Sequence, residues 1–374
     1  MSNSSSGSSS DSSSEPLFTV YAGKSDRELK RLTHIDGIRI ERSLNNLAYG
    51  FQCTCVPHET EVHPGYIIRV YWKDQKHTEK GSEEPLFSGY VDRVKFNLSG
   101  GRNAALSLSI EARSFVSKML DSTDSWNMHE GDLWETAQEV CRRYRVEIYK
   151  NNSVSLGCAR FEGQGQSPYR KLNALVRAQG AILCSRGYGT LLITLPATET
   201  TGRPLTLDDL TEISGTISFS DRYNLYRIVS RGKKYEKIDT AVRKGRILEL
   251  TSQDRQIDSI NTQLLNEHNR RRGLSQKLQL VLPGWQIPGT ETYWKENSNL
   301  ELNIEKLGLD DHKLFIHAVN LSLSKFGGYR TELSLSERSA FAQITTNSTS
   351  GDTDKEPNMI MPWKLSKHSK ETKK

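Results

Sequence analysis

Cysteine is scarce in this chain, and what there is forms no framework. The five residues, Cys53, Cys55, Cys141, Cys158 and Cys184, are odd in number and irregular in spacing. That speaks against a disulfide-stapled secreted scaffold and favours a reducing compartment. Long apolar runs are missing as well. No stretch approaches the roughly 20 residues that a membrane-spanning helix requires, so no stable membrane insertion is expected. The N-terminus lacks the basic-then-apolar order of a signal peptide, which leads to the expectation of synthesis and folding in the cytoplasm. Charge of one sign is only slightly in excess. With 51 basic and 45 acidic residues the net charge is +6. That surplus is spread along the chain and does not single out nucleic acid as a partner, even at a pI near 8.9.

The 374 residues are too many for one ordinary core and predict two to four domains. At 35% hydrophobic and 26% charged the chain is polar for a globular protein, but not disordered throughout. Residues 1–15 are the exception, with ten serines among the first fourteen positions. Such a segment buries too little apolar surface to offset its ordering entropy, so a disordered tail is expected. A second flexible tail is expected over 342–374, basic and lysine-dense at its end. It holds one apolar island, Met359-Ile360-Met361-Pro362-Trp363.

Between the tails β signals dominate. Ile67–Trp72 reads as a strand, as does the alternating Val94-x-Phe96-x-Leu98, with Leu106–Ile110 continuing the alternation beyond Gly100-Gly101. Two helices interrupt them. One, over 132–145, places Leu133, Ala137, Val140, Cys141 and Tyr144 on one face. The other opens at Ser167-Pro168 and stops at Gly180. A hairpin turning at Gly187-Tyr188-Gly189 follows, so 115–205 reads as a small α+β domain. A third helix over about 254–272 carries Ile257, Ile260, Leu264 and Leu265 on one face and ends in Arg270-Arg271-Arg272-Gly273.

The most informative feature is a duplication. Val94-x-Phe96-x-Leu98-Ser99-Gly100-Gly101, then Leu106-Ser107-Leu108-Ser109, resembles Val319-x-Leu321-x-Leu323-Ser324 with Gly327-Gly328, then Leu333-Ser334-Leu335-Ser336. A fainter echo pairs Gly37 and Asn46-Leu47 with Gly215 and Asn224-Leu225. Together these predict two equivalent hairpins in two copies of one β domain, with alternating Val, Leu and Phe facing inward in both. Copy one spans 16–114. Copy two is split into 206–236 and 300–341 by an inserted helix-containing element over 237–299.

Candidate chemistry is thin. Cys53-x-Cys55-x-x-His58 with His63 has the atoms for zinc, but the spacing is short and the two cysteines share one face of a strand, so buried thiols are expected instead. Arg270–Arg272 reads as a helix terminus rather than a phosphate site. Gly187-x-Gly189 lacks the strand-to-helix context of a dinucleotide fingerprint. Trp126, Trp134, Trp285 and Trp294 read as core or interface anchors. The acidic neighbours Glu83 with Glu84 and Asp208 with Asp209 do not face each other across a cleft as glycan hydrolysis requires. No catalytic, cofactor-binding or metal-ligating residue is therefore assigned, and no enzyme is expected.

The stretches Leu86–Asp92, Glu111–Ser114 and Ser167–Leu172 running on to Gly180 resemble the baseplate hub of phage Mu and its relatives. So does the later order: an Asn- and Arg-rich helix, Leu280-Val281-Leu282-Pro283-Gly284-Trp285, Tyr293-Trp294, Phe326-Gly327-Gly328 and Leu333-Ser334-Leu335. The resemblance covers 17–341. It implies a mainly β chain with α+β parts: two related tube-type β-barrel domains, the small α+β domain and the inserted helical element. By the same resemblance the chain forms a homotrimer adapting a six-fold tail tube to a three-fold central spike, as in the upper part of type VI secretion spikes. Partners would be the tail-tube protein, the spike, and the tape-measure and baseplate wedge proteins of a virion. A tail-associated muralytic enzyme and a nucleic-acid-binding virion component are the alternatives.

Overall fold

The computed structural model describes residues 17–342 apart from 47, 57–60, 73–83, 101–104, 128–130, 231 and 252–256. The two expected tails, save Ala342, lie outside the described residues, as do the Met359–Trp363 island, His58 and Glu83.

The chain opens with β1 (Phe18–Gly23), β2 (Lys30–Arg31), β3 (Ile35–Ser43), β4 (Gly50–Cys55), β5 (Ile67–Trp72), β6 (Phe87–Ser99) and β7 (Ala105–Ser114). A mixed stretch follows: α1 (Ser117–Asp121), β8 (Asp124–Asn127), β9 (Gly131–Asp132), α2 (Leu133–Arg143), β10 (Ile148–Lys150), β11 (Cys158–Ala159), β12 (Glu162–Gln166), α3 (Pro168–Ala178), β13 (Ile182–Ser185) and β14 (Leu191–Thr194). The last part holds β15 (Glu212–Ile217), β16 (Leu225–Ser230), β17 (Lys233–Ile238), β18 (Ile247–Thr251), α4 (Ile257–Gly273), β19 (Gln276–Pro283), β20 (Ser298–Ile304), β21 (Leu309–Ser324) and β22 (Gly328–Ser336).

Twelve strands join in one sheet in the order β15-β19-β22-β21-β3-β4-β7-β6-β5-β1-β2, with β20 also on β21. Alternation gives each strand an inner and an outer face. In β4, Phe51, Cys53 and Cys55 are buried while Gln52 and Thr54 are exposed. The sheet curls around one apolar core. Phe18 and Trp72 at one end stack on Trp285, just past β19, with ring centroids 5.3 and 6.1 Å apart.

The order contains the duplication. The run β3-β4-β7-β6-β5 is repeated, strand for strand, as β15-β19-β22-β21-β20. The two related β units meet where β21 of the second pairs with β3 of the first, from Ala318 opposite Ser43 to Ser324 opposite Gly37.

The mixed stretch has its own core, built from Leu133, Val140, Leu172, Val176, Leu191 and Ile193 among others. Asp132 caps α2 by accepting from the Trp134 and Glu135 N–H groups. The α3 start differs from expectation, because the Ser167 side chain does not cap. Its hydroxyl donates to the Met119 carbonyl at 3.0 Å instead, and Pro168 at the first turn needs no partner.

The inserted element also differs. Strands β16 and β17 alternate as strands of the large sheet would, but they form a separate three-stranded sheet in the order β17-β16-β18, and Tyr226 and Ile228 pack on Ile260 and Leu264 of α4. The excursion from the large sheet therefore runs from 218 to 275 rather than 237 to 299. Ser218 and Ser275 close it, the former's N–H donating to the latter's carbonyl at 2.8 Å.

Candidate assembly interface

Each β unit contributes a long hairpin, β6–β7 and β21–β22. Both carry a bulge, between Val91 and Arg93 in one and between Ile316 and Ala318 in the other. Beyond it each has an arm of seven residues, Arg93–Ser99 and Ala318–Ser324. A bulge bends and twists a strand locally, so a shared bulge is a more specific mark of kinship than alternation. It also sets the register. Val94 pairs with Ile110 and Val319 with Leu333, so Leu333 corresponds to Ile110 and Leu335 to Ala112.

The sequence match of Leu106–Ser109 to Leu333–Ser336 is thus four residues out of register. An even slip keeps every side chain on its face, which is why the pattern concealed it. The fainter echo is corrected in the same way. Ile38 reaches Ile110 through Cys53, and Ile213 reaches Leu333 through Leu280, so Ile38 matches Ile213 and Gly37 matches Glu212, not Gly215.

The two hairpins are not equally covered. Val319, Leu321 and Leu333 are buried, but Phe96 is 78% and Leu98 64% exposed. The expectation that alternating apolar residues face inward therefore fails for the outer half of the first hairpin. The cause is a missing neighbour. The Ala318–Ser324 arm lies against β3, whereas among the described residues the Arg93–Ser99 arm pairs only with β7. At the other end of the sheet β15, the counterpart of β3, pairs among the described residues only with β19.

The three units are tied together by a buried polar cluster. Arg42 at the end of β3 makes two bonds to Glu296, at 2.9 and 3.3 Å, and its guanidinium lies 4.8 Å from the Tyr49 ring centroid. The Tyr49 hydroxyl lies against both Glu296 and the Ser185 carbonyl, linking both β units to the α+β unit. Nearby, burial pushes the Glu84 carboxyl up, but Arg42, Arg186 and the Gly187 N–H outweigh it and hold the group below its ordinary value. Sequence reasoning missed this cluster, whose members lie up to 254 residues apart.

The candidates for chemistry are placed as follows. Cys53 and Cys55 are both buried on the inner face of β4; the hydrogen bond between them pushes the Cys53 thiol up and the Cys55 thiol down. His63 is exposed beside Glu61. Among the described residues no group of three metal-ligating side chains occurs. Arg270 and Arg271 are held by Glu267, at 3.0 and 2.5 Å. Asp209 closes a capping box with Thr206, and its hydrogen bond from Arg203 holds it at about 2. Gly187 and Gly189 turn β13 into β14; a side chain at Gly187 would collide with the Pro85 carbonyl, so the glycine permits close docking on the first β unit. Trp285 and Trp294 are fully buried, while Trp126 packs edge-on to Phe161.

No family profile matches the chain. Baseplate hub protein gp44 of Escherichia phage Mu is 21% identical over 332 residues, 81% of this chain and 84% of that protein. The 43 kDa tail protein of prophage MuSo2 from Shewanella oneidensis superimposes with a TM-score of 0.73 at 21% identity, covering 87% of this chain and 99% of its own. The fold is that of a Mu-like tail protein. A type VI secretion component of E. coli, described as similar to phage T4 tail proteins gp27 and gp5, matches with a TM-score of 0.53 at 8% identity over 88% of this chain and 77% of its own. The mainly β architecture with its small α+β part is thus shared with tail proteins and a secretion-system component.

Proposed function

We propose that the chain is the structural hub of a contractile phage-tail baseplate, a homotrimer whose three copies form a ring of six related β units. The observation that carries this is the pair of bare edges. Within the chain, the junction of β21 with β3 joins unit two to unit one. The same junction, repeated between chains, would join the Arg93–Ser99 arm of one copy to β15 of the next. Carrying the observed register across places Val94 opposite Ile217, Phe96 opposite Gly215 and Leu98 opposite Ile213 of the neighbour. The exposed Phe96 and Leu98 then gain cover. Each contact is heterologous and closes after three copies.

On this reading the hub adapts a six-fold tail tube to a three-fold central spike, with tape-measure and wedge proteins as further partners. It works within the virion baseplate after assembly in the host cytoplasm, as an architectural part and not an enzyme. Size-exclusion chromatography with light scattering tests it. A trimer, alone or on addition of the spike protein, is expected; a monomer at micromolar concentration under both conditions would count decisively against it.

A further inference from the structure

The outer face of the large sheet carries a trough that the hub reading leaves unused. Two cavities form it, of about 870 and 430 Å³, and both are lined by Arg39, Glu41 and Asn46. At the larger end α3 presents Arg170, Asn173 and Arg177, three and four residues apart and so on one helical face. The other arginines of that wall have acids of their own: Arg39 has Glu41, Arg93 has Glu111, and Arg113 has Asp92 and Asp121. Arg170 and Arg177 make no ion pair among the described residues. Arg177 is half-buried, and a charge taken out of water without an opposite partner is costly. Three polar atoms on the walls are also buried without a partner: the Arg177 Nε donor and the Asn173 and Asn320 Oδ1 acceptors. An inorganic oxyanion would answer the guanidinium but not the amide oxygens. An acidic peptide answers both, with carboxylates and with backbone N–H groups.

Such a peptide begins beside the trough, in the chain's own C-terminal tail. Phe341 shares a buried cluster with Leu44, whose neighbours Asn45 and Asn46 line the larger cavity. It also stacks on His317, next to Ala318 of the smaller one, with ring centroids 5.5 Å apart. Ten residues beyond Ala342 comes Asp352-Thr353-Asp354-Lys355-Glu356, in which acids alternate. Ten extended residues reach up to about 33–36 Å. Alternate residues of an extended chain share a face about 6.6–6.8 Å apart, so the three acids cover about 13 Å. Positions 170 and 177 stand roughly 10 Å apart along their helix, a comparable span. We infer that residues 352–356 dock in the trough as an extended strap, with Asp352, Asp354 and Glu356 facing the Arg170 and Arg177 guanidinium groups. The strap ties the α+β unit to the junction of the two β units, because the trough runs from α3 over β3 to β21.

Photo-cross-linking of the purified full chain tests this, with a benzophenone amino acid placed singly at Asn46 and at Gln52, both exposed on the trough wall. Peptide mapping by mass spectrometry is expected to find these positions joined to residues 343–358. Mixing isotope-labelled and unlabelled chains should show the link to lie within one chain. Arg170→Glu, a change at an exposed position, should lower the yield about fivefold or more at low salt. Adding Asp354→Lys should restore it, an exchange that a merely structural role for Arg170 would not produce, and circular dichroism of each variant should match the parent. A link to a second copy's tail, no link from either position, or a yield indifferent to Arg170→Glu overturns the strap. The trimer's mass is read separately, so none of these outcomes decides the hub reading.

Discussion

If β15 of one copy pairs with the Arg93–Ser99 arm of the next, the register is specified to the residue. A phenylalanine side chain buries about 150–250 Å² when covered. With Phe96 at 78% exposure, roughly 150 Å² awaits cover, worth about 3–4 kcal/mol per contact as an upper bound at about 25 cal/mol per Å². Phe96→Ser should therefore weaken each contact by about 100-fold or more, with little loss of monomer stability because the side chain is largely exposed in its own chain. Light scattering across a dilution series reads this. The register is read by disulfides, in a Cys158→Ser background that removes the exposed thiol. Opposed residues in a sheet have Cβ atoms about 4.5–5.5 Å apart, close enough for small adjustments to complete a bond. Leu98→Cys combined with Ile213→Cys should give covalent trimers on non-reducing gels. Leu98→Cys with Ser214→Cys should not, since a one-residue step turns the side chain to the other face. Linking of 98 to 214 but not to 213, or a Phe96→Ser trimer as tight as the parent, would refute the reasoning.

Burial separates two outwardly similar leucines: Leu335→Asp puts a charge into the core and should give insoluble or unfolded chain, whereas Leu98→Asp should give a folded monomer by circular dichroism. Removing one partner of the buried pair, as in Glu296→Ala, should cost about 3–5 kcal/mol in urea unfolding, and Arg42→Met with Glu296→Leu should recover most of it. Burial, with a smaller contribution from Lys277, lowers the pKa of the bulge residue His317 to about 4. The folded chain then binds fewer protons than the unfolded one between roughly pH 6.5 and 4, so stability is full above that window and falls by up to about 3 kcal/mol as pH drops through it; His317→Gln should flatten this slope relative to the parent. Purified protein should clear no cell-wall suspension, and appreciable clearing would restore the muralytic alternative.

Much of the architecture was legible because local patterns are governed by local physics. The strand at Leu106–Ile110 alternates with period two, Ile67–Trp72 is a short run of β-branched and aromatic residues, and the helix after Asp132 has both a cap and an apolar face. The duplication was legible too, since two hairpins of one fold keep the same alternation around a diglycine. Its register was not, because period-two strings match equally well after any even slip; only the bulges at Asp92 and His317 fix it, and a bulge leaves no reliable mark in composition. The excursion was misjudged for a related reason. Strands β16 and β17 look like members of the large sheet, and partner choice is a matter of tertiary packing against α4.

By itself the sequence determined a β-rich chain with a small α+β part and a repeated hairpin, since these follow from periodicity, caps and turn residues within a few positions of one another. The tertiary structure alone decided which edges are left bare. Val94-x-Phe96-x-Leu98 and Val319-x-Leu321-x-Leu323 read alike, yet one is uncovered and the other lies beneath β3. The difference arises because pairing satisfies backbone groups and covers apolar side chains only where another strand is brought alongside, and that strand comes from residues some 280 positions away.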